Sequence, residues 1–65
     1  MGEKLLDTLQ AAAFLGLRPG TLETWRWDGS RGPAFIRLSR RAVRYRQSDL
    51  NSWLDAQTVN GGEAG

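Results

Sequence analysis

Apolar positions recur at helical spacing in the first half of this chain and alternate in the second half. Between Thr8 and Leu15, the residues Ala11, Ala12 and Leu15 fall on one face. Asp7 stands ahead of this run as an N-cap, and Gln10 three residues later completes a capping-box arrangement. Gly16 suits a left-handed stop, so the spacing predicts a helix over 8–15. Pro19 fits a first helical position, and a second helix is predicted from there through GTLETWRW, ending before Gly29. On it Leu22, Trp25 and the stem of Arg26 share one side, while Gly20, Glu23, Thr24 and Trp27 point the other way. The two alanines of the first helix let another helix approach closely.

Further on, Ile36 and Leu38 alternate with Arg37, and Val43 and Tyr45 alternate with Arg44 and Arg46, which predicts a hairpin. Its expected inner face carries Ile36, Leu38, Val43 and Tyr45, its outer face carries guanidinium groups, and Arg40 and Arg41 lie in the turn. A third helix is expected after it, capped by Ser48 with Asp49 in its first turn and Leu50, Trp53 and Leu54 on its inward stripe. The ends, MGEK and VNGGEAG, read as loose, so residues 1–4 and 59–65 are expected to be flexible flanks of one folded unit at 5–58. The predicted class is α+β, with three short helices and a two-stranded hairpin. Only Gly16, Leu17 and Arg18 separate the first two helices, which is helix-turn-helix spacing.

Charge sharpens this picture. Between Gly29 and Ser48 lie Arg31, Arg37, Arg40, Arg41, Arg44 and Arg46 with no acid, whereas the remaining residues hold three cations and all seven acids. One part of the surface is therefore strongly positive within a chain of net charge +2. Eight of the nine cations are arginine, whose planar fork makes two-point contacts with phosphate. Guarding an exposed strand edge would be served equally by lysine or mixed charge. That role gives no reason for positive charge on the face, tip and exit of one hairpin, so a nucleic-acid contact surface is the stronger reading. On the second helix, Gly20, Thr21, Glu23 and Thr24 are short or polar enough to reach base edges, and Glu23 can accept from cytosine N4. Trp27 fits less simply. Its first expected place is in the core beneath the loop at 29–34, with sugar stacking or self-association as the other readings.

At 65 residues there is room for one small domain. Cysteine and histidine are both absent, which removes disulfides, the usual zinc-ligand sets and a histidine general base. No carboxylate pair, nucleophile–base set or phosphate-binding glycine loop emerges, so no enzymatic activity, cofactor, metal or small-molecule ligand is expected. No apolar run approaches a membrane span, and MGEKLLDT lacks the order of a signal peptide, which makes the expected location cytoplasmic, on the nucleoid through DNA.

These residues together carry a resemblance. LLDTLQAAAFLGLRPGTLETW followed by GPAFIRLSRRAVRYRQSDLNSWLDA resembles the MerR-type winged helix-turn-helix of small excisionases and AlpA-like phage regulators, over about residues 5 to 56. Its most specific pieces are AA-x-x-LGL-x-PGTL-x-x-W, GPAFIRL and VRYRQSDLNSWL. The resemblance implies double-stranded DNA as partner, with the second helix in the major groove and the hairpin as a wing over adjacent backbone or minor groove. Carried over by position, it implies Gly20, Thr21, Glu23, Thr24 and Trp27 on the recognition-helix side, where Arg18 at the helix entry adds a phosphate contact, and Arg37, Arg40, Arg41, Arg44 and Arg46 on the wing. It further implies an architectural role beside an integrase or recombinase, with cooperative self-association on DNA, or a role as a transcriptional regulator. In MerR regulators proper a long coiled-coil helix follows this domain, whereas here the sequence stops soon after the third helix, which favours the excisionase expectation. Three positions depart from the pattern. Arg18 stands where a serine N-cap is common, Ser39 where a wing-turn glycine is frequent, and Trp27 where the residue is often basic. The reading from another class is a protein-interaction module that uses the cationic wing against an acidic partner. If the five wing arginines each neutralise one phosphate, the log–log salt slope of DNA binding is expected near about −4.5.

Overall fold

The computed structural model describes residues 3–29 and 31–59. Its elements in chain order are β1 (Leu5–Leu6), α1 (Thr8–Leu15), α2 (Pro19–Asp28), β2 (Ile36–Arg37), β3 (Val43–Arg46) and α3 (Gln47–Gln57). Local chemistry sets the limits of the first two helices. Asp7 accepts from the Gln10 N–H at 2.8 Å while the Gln10 side chain accepts from the Asp7 N–H at 3.0 Å, closing the capping box. Gly16 ends α1 at φ 74°, and Pro19 opens α2 after an Arg18 N-cap that makes no side-chain bond. Both helices occupy the spans that the sequence predicts.

The sheet holds one strand more than expected. The order is β1-β3-β2, all antiparallel, with Leu5 opposite Arg46 and Leu6 opposite Tyr45. The N-terminal strand thus backs the hairpin on its far edge. Leu6, Ala11, Ala12, Leu22, Val43, Tyr45 and Leu50 form the buried core, with Leu15, Leu17, Trp25 and Phe35 packed around it. Ala11 and Ala12 are fully buried, and their small side chains let α1 and α2 close on each other. Trp25 stacks at a tilt on Trp53 of α3, with centroids 5.6 Å apart.

Arg26 is held inward. Its Nη1 donates to Tyr45 Oη at 2.9 Å and to Thr8 Oγ1 at 3.0 Å, tying α2, α1 and β3 together. Its guanidinium also lies 5.8 Å from the centre of the Phe35 ring. This supplies a partner for the phenol, which is almost wholly buried.

The hairpin register differs from the expected one. Ile36 pairs with Arg44, and Arg37 with Val43. Residues directly opposite share a face, so Ile36 and Leu38 lie on the side away from Val43 and Tyr45. Leu38 is 58% exposed, and Phe35 takes the inner place, 6.2 Å from the Tyr45 ring. The cause is the turn: Leu38 donates to the Ala42 carbonyl, leaving the three-residue loop Ser39–Arg40–Arg41. Alternation gives a period but not a phase, and loop length sets the phase.

Trp27 also departs from its first expected place. It is 91% exposed, and the tryptophan beneath the loop is Trp25. Gly32 has φ 95° there, and a Cβ on it would come within 2.9 Å of Trp25 Cε3, so only glycine admits this close approach. Two further differences concern the ends. The α3 helix begins at Gln47 with Arg46 as N-cap, so Ser48 is not its cap. Instead the Ser48 N–H donates to Glu3 Oε2 at 2.8 Å, and the Gln47 N–H to the Lys4 carbonyl at 3.1 Å. Glu3 and Lys4, read from sequence as part of a loose start, are tied to the first turn of α3. Leu54 sits on the margin of the core rather than within it, at 36% exposure. Met1, Gly2 and residues 60–65 of the expected flexible flanks lie outside the described residues.

Candidate nucleic-acid interface

The outer edge of α2 is built from short or polar side chains because its inner edge is committed elsewhere. Leu22 is buried, Trp25 packs on Trp53, and Arg26 is bonded to Tyr45 and Thr8. Gly20, Glu23, Thr24 and Trp27 are exposed, as is Arg18 at the entry, while Thr21 is half-buried. The Thr21 N–H is satisfied by the Arg18 carbonyl at 2.9 Å. Nothing lies within 4 Å of where a Cβ on Gly20 would stand, so this stretch of helix is open to close approach from outside.

The wing stands beside this edge. One cleft between α2 and the hairpin is lined by Glu23, Arg26, Trp27 and Arg37. A second, on the α1 side, brings Glu23 together with Asp7, Thr8, Arg41 and Arg44. Glu23 therefore lies between the helix and arginines of both wing strands. A long polar body can meet helix and wing together.

The five wing arginines differ in placement. Arg40 and Arg41 are exposed in the tip loop, with no salt bridge among the described residues. Arg37 shares a face with Val43 but reaches past the core, with its guanidinium 5.7 Å from the centre of the Phe35 ring. Arg44 lies on the opposite face, half-buried, and its Nη1 donates to the Val43 carbonyl at 2.9 Å. Arg46 pairs with Asp49 Oδ2 at 3.4 Å. The expected single guanidinium-lined face is thus corrected: Arg37 and Arg44 line clefts beside α2, Arg40 and Arg41 stand in the tip loop, and Arg46 pairs with Asp49 at the start of α3.

The tip needs no left-handed residue. Ser39 stands where the pattern often has glycine, and no non-glycine residue among those described has positive φ. The Ser39 Oγ accepts the Ala42 N–H at 3.2 Å, so a side chain closes the turn.

Sequence reasoning missed Glu3. The Ser48 hydroxyl and then the Ser48 N–H hold its carboxyl below the ordinary glutamate value, and Arg46 adds a favourable charge. The Glu3 and Asp49 carboxylates both neighbour Arg46 and the positive end of the α3 dipole. No local signal marks this, because Glu3 and Ser48 are 45 residues apart.

Among the described residues no group of three or more metal-ligating side chains stands together, and no helix is long and apolar enough to cross a membrane.

Three helices, a tight turn between the first two and a sheet carrying an arginine-tipped hairpin define a small α+β winged helix-turn-helix. Such a fold presents its second helix to a DNA groove. The model of the helix-turn-helix domain family matches residues 5–58, and the chain belongs to that family. No curated protein matches it.

Proposed function

We propose that this protein binds double-stranded DNA sequence-specifically as an excisionase-type architectural factor. It seats α2 in the major groove and lays the wing over adjacent backbone. The observation that carries this reading is the shared placement of Glu23 with Arg37 on one side and Arg41 on the other. A polar helix edge and a cationic tip lie close enough to engage one duplex. Gly20, Thr21, Glu23 and Thr24 meet base edges, while Arg18, Arg37, Arg40 and Arg41 meet phosphates. Arg44 donates to the Val43 carbonyl and Arg46 pairs with Asp49, and Arg46 contributes to the field at the backbone. The resemblance carried by GPAFIRL and VRYRQSDLNSWL is shared by small excisionases and AlpA-like regulators, and of the two roles the excisionase one is proposed. On that reading the partner is a recombinase, and copies assemble cooperatively on neighbouring sites.

Titration of duplex binding against salt tests the core of it. Four free arginines releasing counterions give a log–log slope near about −3.6, shallower than a count of all five wing arginines suggests. A slope near zero would sink the DNA-binding reading in favour of an acidic protein partner. Footprinting on candidate DNA then separates the finer roles. Protection that grows in repeated steps, with a bend measured by circular permutation, supports the architectural role. One isolated protected site without a bend supports a transcriptional regulator.

A further inference from the structure

Trp27 is the least covered large apolar side chain among the described residues, at 91% exposure, and it stands on the polar edge of a helix. Its neighbours in sequence do not share that fate. Trp25 is packed under the 31–34 loop, and Arg26 is bonded inward to Tyr45 and Thr8. Trp27 lies four residues after Glu23, one turn further along the same line of α2, and the two line one cleft.

Glu23 fixes what that line faces. A carboxylate is repelled by phosphates, and Glu23 sits between Arg37 and Arg41, which take the phosphates on either side, so this line faces the groove between them. There the group it recognises is a base N–H donor such as cytosine N4. Trp27 on the same line then meets the floor as well. The apolar group that the major groove displays on its floor is the C5-methyl of thymine.

We infer that Trp27 is a specificity-determining residue whose indole packs on a thymine C5-methyl in the major groove, one to two base pairs from the cytosine that Glu23 reads. The spacing follows from about 5.4 Å per helical turn against about 3.4 Å per base step. This inference rests on the DNA-binding reading above and deepens it by naming part of the target sequence.

The test uses the whole chain and a duplex selected from a randomised pool. Each thymine of the selected site is replaced singly by deoxyuridine, which removes only the methyl group. Binding is measured by fluorescence anisotropy for the native protein and for Trp27→Ala and Trp27→Phe. One thymine is expected at which deoxyuridine weakens native binding about fourfold, the effect of one buried methyl-sized group. At that position Trp27→Ala binds both duplexes equally, and Trp27→Phe keeps part of the difference. The salt slope stays unchanged in all three, because an indole releases no counterions. Circular dichroism confirms that the variants fold, as expected for so exposed a side chain.

A uracil penalty that survives in Trp27→Ala overturns the inference, and so does a site without any uracil penalty. Uniform weakening of Trp27→Ala on every sequence assigns the indole to the sugar and also overturns it. A sedimentation coefficient that falls on substitution while DNA preference is unchanged assigns the indole to self-association, which overturns it too. If no duplex is bound at all, the DNA-binding reading fails first and takes this inference with it.

Discussion

The tip and the base of the wing hold the same residue type within one hairpin, yet they use it oppositely. At the tip, Arg40 and Arg41 project from a three-residue loop closed by the Ser39 hydroxyl, and they form no salt bridge among the described residues. At the base, Arg46 is paired with Asp49 and Arg44 is folded onto the Val43 carbonyl. Arginines in a sequence are therefore not a count of arginines available to a ligand. Two of the five are engaged locally, one on its neighbour's carbonyl and one on Asp49.

The largest expected consequence is in DNA binding. Replacing Arg40 and Arg41 together by alanine should weaken affinity for all duplexes alike and reduce the salt slope by about 1.8, with little change in thermal stability. The matching pair, Arg44→Ala with Arg46→Ala, should change the slope by less than half as much and lower Tm instead. Equal slope changes from the two double variants would erase the distinction between tip and base.

A smaller effect sharpens the same contrast from the other side. Asp49→Asn removes the partner of Arg46 while keeping the side chain's shape. Freed, Arg46 should steepen the salt slope by at most about 0.9. The exposed pair itself contributes little to stability, at most about 1 kcal/mol and less at high salt. Chemical denaturation at two salt concentrations checks the second half of this expectation.

The smallest effect concerns pH. Folding lowers the carboxyl of Glu3 below its ordinary value, chiefly through its hydrogen bonds to Ser48. Its contribution is therefore full above the unfolded glutamate value and is lost as pH falls through the lower folded one. Glu3→Gln should thus be less stable than the native chain near neutrality, with the gap closing in acid. A gap independent of pH would show that the carboxylate charge is not what holds Ser48.

What the sequence reveals follows the range over which each feature is determined. The limits of α1 and α2 are legible because Asp7, Gln10, Gly16, Pro19 and Gly29 all act within a turn of their own backbone. The start of α3 is not, since the group serving its first turn is Glu3 rather than the adjacent Ser48. β1 escapes notice for a similar reason: two leucines carry no strand signal until β3 lies beside them. In the candidate interface, the outward edge of α2 and the cationic tip are readable from helical period and charge. The division of labour among the arginines is not, because it depends on hairpin phase and on Asp49. Helical period places Trp27 on the outward side, where it stands, but its first expected burial beneath the loop fails because Trp25 occupies that place.

The pairing of Leu5 with Arg46 has a consequence in time as well as in space. The two residues are 41 apart in sequence, so closing them carries a loop-entropy cost that local helices do not meet. During synthesis β1 and Glu3 emerge first and stay unpaired until β3 and the first turn of α3 have followed them. The hairpin therefore gains its third strand only when the two ends of the domain meet.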